Sequence, residues 1–397
     1  MISLRQKSIS ILVLTVLLSM SCVKESIEII NTDAIVLIIP DSETTDKESE
    51  TSSTNLDKAI NWVENMQADN GLLESAEHTN FVSLYDNALA ALVYIETGNL
   101  AKAEKIFDFF QARVNDELLK GNGGFYQFRN SFGEGGSRTW MGDNAWLLIA
   151  LNTYHDNTNN GKYLDMALEI EQWLRTLQDI DGGLWGGYNE NGTIIPKVTE
   201  GMITAFNAVK GYDSFHQNIL SFLKTERWDD QRKILMAWPT NPDYMYALDL
   251  HSLGSLIFDN YAATGLTEAA RFLNTQTLTV NGTEISGYCF DEDKDVIWLE
   301  GTAQMAVAYN KIEDAKNANN IVTELEKSLI KSASMNDSQG IPYASNQGTN
   351  YGSDLLWDHA DLTPTLSSTA WYIFAKTGIN PLALGNKTDI PQSEIFW

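Results

Sequence analysis

Five acidic residues stand at the start of five apolar stretches of the sequence, at regular intervals. Asp86, Asp143 and Glu200 are 57 residues apart, and Asp249 and Glu300 follow after 49 and 51 residues. Two carboxyl groups held apart in one cleft can divide the roles of general acid and general base. The spacing therefore makes Asp143, Glu200 and Glu300 candidate catalytic residues, with Asp86 in support and Asp249 in substrate binding.

Helix capping is a simpler explanation for the same positions. An acidic residue at the start of a helix accepts hydrogen bonds from free backbone N–H groups and complements the helix dipole. Glu is a poor N-cap, so capping accounts less well for Glu200 and Glu300, whose surroundings TEGM (199–202) and LEGT (299–302) also resemble each other. For the three aspartates both explanations stay open.

Tryptophans cluster near these acidic residues. Aromatic faces beside carboxylates suit sugar rings, whose C–H faces are apolar and whose edges carry hydroxyl groups. The candidate substrate-binding residues are Trp140, Trp146, Trp185, Trp238, Trp298 and Trp357, together with Arg138, Asp249 and His251. By contrast, Trp62, Trp173 and Trp371 lie in helical segments and are expected in the core.

Two kinds of segment alternate from residue 55 onward. Amphipathic segments, typical of helices with one face in water, lie at 56–66, 100–114, 163–177, 214–223, 267–273 and 312–331. Almost wholly apolar segments, typical of buried helices, lie at 86–97, 143–154, 200–212, 250–263, 300–309 and 367–376. Glycine and aromatic residues in the connectors, as in GGLWGGY (182–188), predict short hairpins.

Six outer helices that alternate with six inner helices predict an all-α domain over 55–397. Its architecture would be an (α/α)6 toroid, or barrel, of six helical hairpins, because each hairpin buries its apolar face only against its neighbours. The inner helices of such a toroid run parallel. The five acidic residues would therefore face one mouth of the barrel.

The chain resembles the six-hairpin glycosidase superfamily, whose (α/α)6 enzymes cut or rearrange carbohydrates. The resemblance spans about residues 55 to 380 and rests on this architecture with YDNALAAL (85–92), GDNAWLLIAL (142–151), TEGMITAF (199–206) and WLEGTAQMA (298–306). It implies a glycoside hydrolase that acts on a polysaccharide or oligosaccharide by carboxylate acid/base catalysis, with inversion. Asp143 and Glu300, on the second and fifth inner helices, form the best separated pair for this chemistry.

Four alternatives on the same fold stay open. An unsaturated glucuronyl hydrolase would use Asp86 with Asp143, and Arg129 and Arg138 would hold a uronate carboxylate. A sugar epimerase would rely on inner-helix histidines, of which His251 is the best placed, and a polysaccharide lyase on a Tyr-His or Tyr-Arg arrangement. A carbohydrate-binding lipoprotein would bind sugar without turnover.

The N-terminal region predicts export and a lipid anchor. Residues 1–21 combine basic residues with an apolar run too short to span a bilayer, as in a secretory signal peptide. LSMSC (18–22) resembles the lipobox of bacterial lipoproteins, which implies that Cys22 is lipidated and becomes the mature N-terminus. VKES (23–26) resembles an export signal of Bacteroidetes surface lipoproteins, and the remainder of 22–54 reads as a disordered tether. The predicted location is the cell envelope, on the outer membrane.

The balance of charges bears on partners. With 53 acidic and 27 basic residues, the formal net charge is −26, which repels nucleic acid and anionic lipid. The acidic run DEDKD (291–295) lacks the ligand spacing and turn glycine of a calcium loop, and no zinc spacing or phosphate-binding glycine loop occurs. We therefore predict a monomer that binds carbohydrate, without metal, cofactor or nucleic acid, and that contacts the membrane only through its lipid.

Overall fold

The computed structural model describes residues 53–240, 245–347, 359–387 and 390–397. The predicted signal peptide, the lipidation site Cys22 and nearly all of the predicted tether lie outside the described residues, as does Trp357. None of the helices in the described part of the chain is both long and apolar enough to cross a membrane.

Twelve α-helices occur in the described residues and alternate between an inner and an outer position. The inner helices are α2 (Leu84–Glu96), α4 (Met141–Thr158), α6 (Thr199–Ala208), α8 (Leu248–Ile257), α10 (Leu299–Lys311) and α12 (Leu366–Thr377). The outer helices are α1 (Asn55–Met66), α3 (Leu100–Gln111), α5 (Leu164–Thr176), α7 (Ser214–Glu226), α9 (Ala262–Glu268) and α11 (Ala315–Glu326). The inner helices are buried on nearly all sides, whereas outer helices such as α1 and α11 bury one face.

The inner helices form a closed ring. Each packs against the next inner helix in chain order, and α12 packs against α2. Small residues such as Ala88, Ala90 and Ala91 on α2 are fully buried and allow this close approach. The predicted (α/α)6 toroid of helical hairpins is therefore confirmed.

Short antiparallel strands lie in the connectors that lead from an outer helix to the next inner helix. β1 (Val82–Ser83) pairs with β2 (Phe128–Arg129), and β3 (Thr139–Trp140), β4 (Gly187–Tyr188) and β5 (Ile194–Ile195) form a three-stranded sheet. β6 (Trp228–Asp229) pairs with β7 (Ile234–Leu235), β8 (Leu273–Thr277) with β9 (Glu284–Tyr288), and β10 (Ile330–Lys331) with β11 (Gln339–Gly340). Because these connectors precede inner helices, the strands surround the end of the ring at which the inner helices begin.

Several predicted helix boundaries are wrong: the third inner helix, α6, ends at Ala208 and not at residue 212, and the outer helix α9 begins at Ala262 and not at residue 267. The fourth inner segment was predicted to continue to residue 263, but α8 ends at Ile257 and the outer helix α9 already begins at Ala262. Asn260, with a φ of 66°, turns the chain between them. Likewise, α11 ends at Glu326 instead of residue 331, because Ile330 and Lys331 form β10. After α8 and α11 apolar residues continue past the helix end, so hydrophobicity does not mark it.

Candidate active site

A cavity of about 350 Å³ lies at the end of the ring where the inner helices begin. Asp86, Asp143, Glu200, Asp249 and Glu300 all line it. Each of them lies in the first turn of its inner helix, α2, α4, α6, α8 and α10 respectively. Equivalent positions on parallel helices thus bring together all five acidic residues that the sequence spacing indicated.

Helix capping does not explain the five positions. The N-cap residues of the five helices are Ser83, Trp140, Val198, Ala247 and Trp298. In α2 it is the Ser83 hydroxyl that accepts from the backbone N–H of Asp86. The five carboxyl groups retain the favourable interaction with the positive end of each helix, but their side chains point into the cavity.

The carboxyl groups hold protons more tightly than isolated ones do. Burial raises the pKa of Asp86, Glu200 and Glu300 to about 7, and nearby negative charge adds to the effect on Asp86 and Glu200. Burial and the charge of Glu200 raise the pKa of Asp249 to about 8 and that of Asp143 well above its usual range. Carboxyl groups that stay protonated near neutral pH can act as general acids.

Asp143 and Glu300 lie on opposite sides of the ring, since two inner helices separate α4 from α10 in either direction. Asp143 is 7% exposed, and its Oδ2 has no hydrogen-bond partner among the described residues. Its Oδ1 accepts a long bond, of 3.5 Å, from Gln127 Nε2. Buried polar atoms are usually hydrogen-bonded, so this carboxyl group is available to a ligand or to water.

Glu300 is instead held by a network of donors. The Tyr85 hydroxyl donates to Glu300 Oε1 at 2.6 Å, and Gln304 Nε2 donates to the same oxygen at 3.3 Å. Trp371 Nε1 in turn donates to the Tyr85 hydroxyl at 2.8 Å, and Ser252 donates to Gln304 Oε1 at 2.8 Å. These bonds favour the ionised form of Glu300 and partly offset the effect of burial on its pKa.

Two of the predicted substrate-binding tryptophans, Trp146 and Trp298, line the cavity. Trp140, Trp185 and Trp238 lie outside the lining that the described residues provide. Trp185 is covered by Lys197, whose Nζ lies 4.5 Å from the ring centroid. These three tryptophans belong to the connectors around the mouth but do not reach its centre.

The candidate basic residues also lie in different places, and only Arg138 lies near a carboxyl group of the cavity. Arg138 is half-buried and lies near Asp143, where its charge partly offsets the effect of burial on the carboxyl group. Contrary to its predicted role in substrate binding, His251 is fully buried and its Nδ1 lies 2.9 Å from the Gly265 carbonyl oxygen, towards the outer helix α9. Burial lowers its pKa to about 4. Arg129 forms two hydrogen bonds with the buried Glu117, of 2.9 and 3.0 Å, and is thereby engaged.

A group of acidic side chains outside the cavity could hold a cation. One oxygen from each of Asp291, Asp293 and Asp295 lies within 4.8 Å of the others. Asp291 and Asp293 each also accept a hydrogen bond from a backbone N–H of the same loop. Such groups are common in exposed loops without an ion, so the absence of a metal stays a prediction.

Other lining residues were not predicted. Tyr85 and Gln304 could have been found, because Tyr85 directly precedes Asp86 and Gln304 follows Glu300 by one helical turn. The aromatic residues Phe81, Phe128, Phe290 and Tyr343 also line the cavity. They lie in connectors and short strands, where no periodic pattern marks the side that faces inward.

No family model and no curated protein matches the chain. Solved structures do match it. A glycosidase in complex with glucose is 14% identical over 83% of this chain and 96% of its own, with a TM-score of 0.57. The chain has the fold of the six-hairpin glycosidases.

Other structures with this six-hairpin fold carry different activities. An inactive variant of an α-1,6-mannanase from a Salegentibacter species, in complex with α-1,6-mannotriose, is 12% identical over 83% of this chain and 98% of its own, with a TM-score of 0.51. A sugar epimerase from a ruminal bacterium is 11% identical over 81% and 97%, with a TM-score of 0.53. The likeness establishes the six-hairpin fold, and the choice among activities depends on the residues of the cavity.

Proposed function

We propose that the protein is a glycoside hydrolase that acts on a neutral polysaccharide or oligosaccharide. The observation that carries the proposal is the convergence of five carboxyl groups with raised pKa values, three of them buried and two half-buried, in one cavity lined by aromatic rings. Sugar-bound structures among the fold neighbours support a carbohydrate as the ligand.

The surroundings of Asp143 suit a general acid, and those of Glu300 suit a general base. Burial raises the pKa of Asp143 and few donors stabilise its ionised form, so it would remain protonated and give its proton to the glycosidic oxygen. Glu300 accepts hydrogen bonds from Tyr85 and Gln304, which favour its carboxylate form as the base that activates water. Their positions across the ring suit the wider separation of an inverting pair. Glu200, Asp249 and Asp86 would bind sugar hydroxyl groups.

Charge argues for a neutral sugar. The part of the lining that the described residues provide contains five carboxyl groups and no lysine, arginine or histidine. A uronate carboxylate would therefore find no cationic partner in this lining, and Arg129 is already paired with Glu117. The same lining offers no histidine to an epimerase and no Tyr-His or Tyr-Arg pair to a lyase. Hydrolysis of neutral sugars is therefore the best supported function.

The test is incubation of the purified protein with neutral polysaccharides, uronate polysaccharides and unsaturated uronyl oligosaccharides, followed by mass spectrometry and ultraviolet absorbance. We expect saturated oligosaccharides that have gained one water, from a neutral substrate only. Loss of the unsaturated uronyl absorbance would instead indicate a glucuronyl hydrolase, and a gain would indicate a lyase. An isomer of unchanged mass would indicate an epimerase, and binding without any product a carbohydrate-binding protein.

Replacing Tyr85 with Phe is expected to shift the pH profile. Loss of the hydroxyl removes a donor that stabilises the Glu300 carboxylate, so the pKa of Glu300 rises and the acidic limb of kcat/KM moves up by about one pH unit. Tyr94→Phe is the matched control, because the buried Tyr94 hydroxyl bonds the Val63 carbonyl oxygen and does not line the cavity. An unshifted limb in Tyr85→Phe would contradict the assignment of Glu300 as the base.

We also propose that Cys22 carries lipid and anchors the protein to the outer membrane of the cell envelope. The support is the LSMSC sequence behind the apolar run. Replacing Cys22 with Ala is expected to move the protein from the detergent-extracted membrane fraction to the soluble fraction in fractionated cells. Unchanged membrane association would refute the lipid anchor.

A further inference from the structure

Two exposed phenylalanine rings form one wall of the cavity. Phe81 is 39% and Phe128 is 36% exposed, and their ring centroids are 4.9 Å apart with an interplanar angle of 37°. Both line the same cavity as the carboxyl groups. Adjacent exposed aromatic rings at the mouth of a cavity are typical of a surface that a ligand covers.

The backbone beneath this pair of rings is fixed. Phe128 on β2 pairs with Ser83 on β1, and Ser83 caps the helix that carries Asp86. The neighbours of the two rings are buried: Val82 is 1% exposed, and Arg129 is 4% exposed and ion-paired with Glu117 at 2.9 Å. A rigid platform loses little entropy when a ligand binds.

A second aromatic wall lies across the cavity. The rings of Phe290 and Trp298 meet edge to face, with centroids 5.3 Å apart. The Phe290 carbonyl oxygen accepts from the backbone N–H of Leu248 on α8, the inner helix opposite α2 in the ring. The carboxyl groups therefore lie between two aromatic walls, of which only the one formed by Phe81 and Phe128 has both rings strongly exposed.

We propose that Phe81 and Phe128 form a sugar-binding subsite beside the reacting bond, which stacks on the apolar C–H face of a neutral pyranose. This inference rests on the proposed function and narrows its substrate. The substrate is a chain with sugar units on both sides of the bond that is cut, one of them over the phenylalanine pair and one towards Trp298. A single sugar with a small leaving group leaves the pair uncovered.

The experiment compares kcat and KM for neutral oligosaccharides of increasing length and for an aryl glycoside of the same sugar. In the double variant Phe81→Ala/Phe128→Ala, we expect KM for the longer oligosaccharides to rise about tenfold. KM for the aryl glycoside and kcat should change less than twofold. Phe81→Tyr should keep most of the affinity, because it keeps an aromatic face. Equal effects on long and short substrates would overturn the subsite.

Phe132→Ala serves as the matched control. Phe132 is 75% exposed in the same connector as Phe128 but does not line the cavity, so this variant should leave KM unchanged for every substrate. If no substrate is turned over, the proposed hydrolase function fails but the subsite is still tested, by calorimetric titration of the protein with the same oligosaccharides. Affinity should rise with chain length in the wild type and not in the double variant, and an unchanged length dependence would refute the proposal.

Discussion

Replacing Glu300 with Gln is expected to lower kcat by about 10²–10⁴-fold, the usual contribution of a general base. The amide keeps the shape of the side chain and its place beside Tyr85 and Gln304, but it cannot take a proton from water. Binding of an oligosaccharide should persist, as calorimetric titration would show. Glu326→Gln is the control for the chemical change, because Glu326 lies on the outer helix α11 and bonds Tyr372 and Lys376 away from the cavity.

A comparison of Asp143→Asn with Glu300→Gln on two kinds of substrate separates the two catalytic roles. Asp143→Asn should be as inactive as Glu300→Gln towards a natural oligosaccharide, because both proton transfers are needed. A substrate whose leaving group needs no proton, such as a dinitrophenyl glycoside, should restore much of the activity of Asp143→Asn and little of that of Glu300→Gln. Restored activity in Glu300→Gln and not in Asp143→Asn would mean that Glu300 is the acid and Asp143 the base. Full activity of both variants would refute both assignments.

The free energy of unfolding is expected to fall as the pH rises from about 4 to about 8. A carboxyl group whose pKa is raised in the folded protein gives its full stability below the unfolded pKa and loses it as the pH rises through the folded pKa. For Glu300 the change from 4.5 to about 7 corresponds to a loss of roughly 3 kcal/mol at pH 8. Burial is the largest cause, because the ionised form must be accommodated away from water.

Glu300→Gln should therefore be more stable than the wild type at pH 8 and about equally stable at pH 4. Urea denaturation at the two pH values measures both differences. Glu326→Gln should behave in the opposite way: despite partial burial, which raises it, Lys376 and Tyr372 lower the pKa of Glu326, so its loss should weaken the fold at pH 8. A Glu300→Gln variant that gains nothing at pH 8 would contradict the raised pKa.

The spacing of the acidic residues predicted the candidate site well, because the prediction needs only the assumption that the apolar segments are inner helices. Once the apolar segments are inner helices, equivalent first-turn positions such as Asp143 and Glu300 must meet at one mouth. The direction of His251 could not be predicted in this way. Helix α8 is buried on nearly all sides, so hydrophobicity does not distinguish the side that faces the cavity from the side that faces α9.

Aromatic lining residues were predicted only where they belong to a regular element. Trp146 lies in the first turns of α4 and Trp298 directly precedes α10, so their distance from an acidic residue fixes their position. Phe81 and Phe128 lie more than forty residues apart in sequence and meet because β1 pairs with β2. Pairing between two-residue strands has no local sequence pattern, and the platform they form could not be predicted.

The hydrogen bonds from Trp371 to Tyr85 and from Tyr85 to Glu300 join the last inner helix, the first inner helix and the fifth. An open array of repeats can lose a terminal repeat and keep the others folded. Here α12 lies between α10 and α2 in the ring and supplies Trp371 to Tyr85, so a nascent chain that lacks its last hairpin would have an incomplete site. The candidate site would then be complete only when synthesis has delivered the final helix.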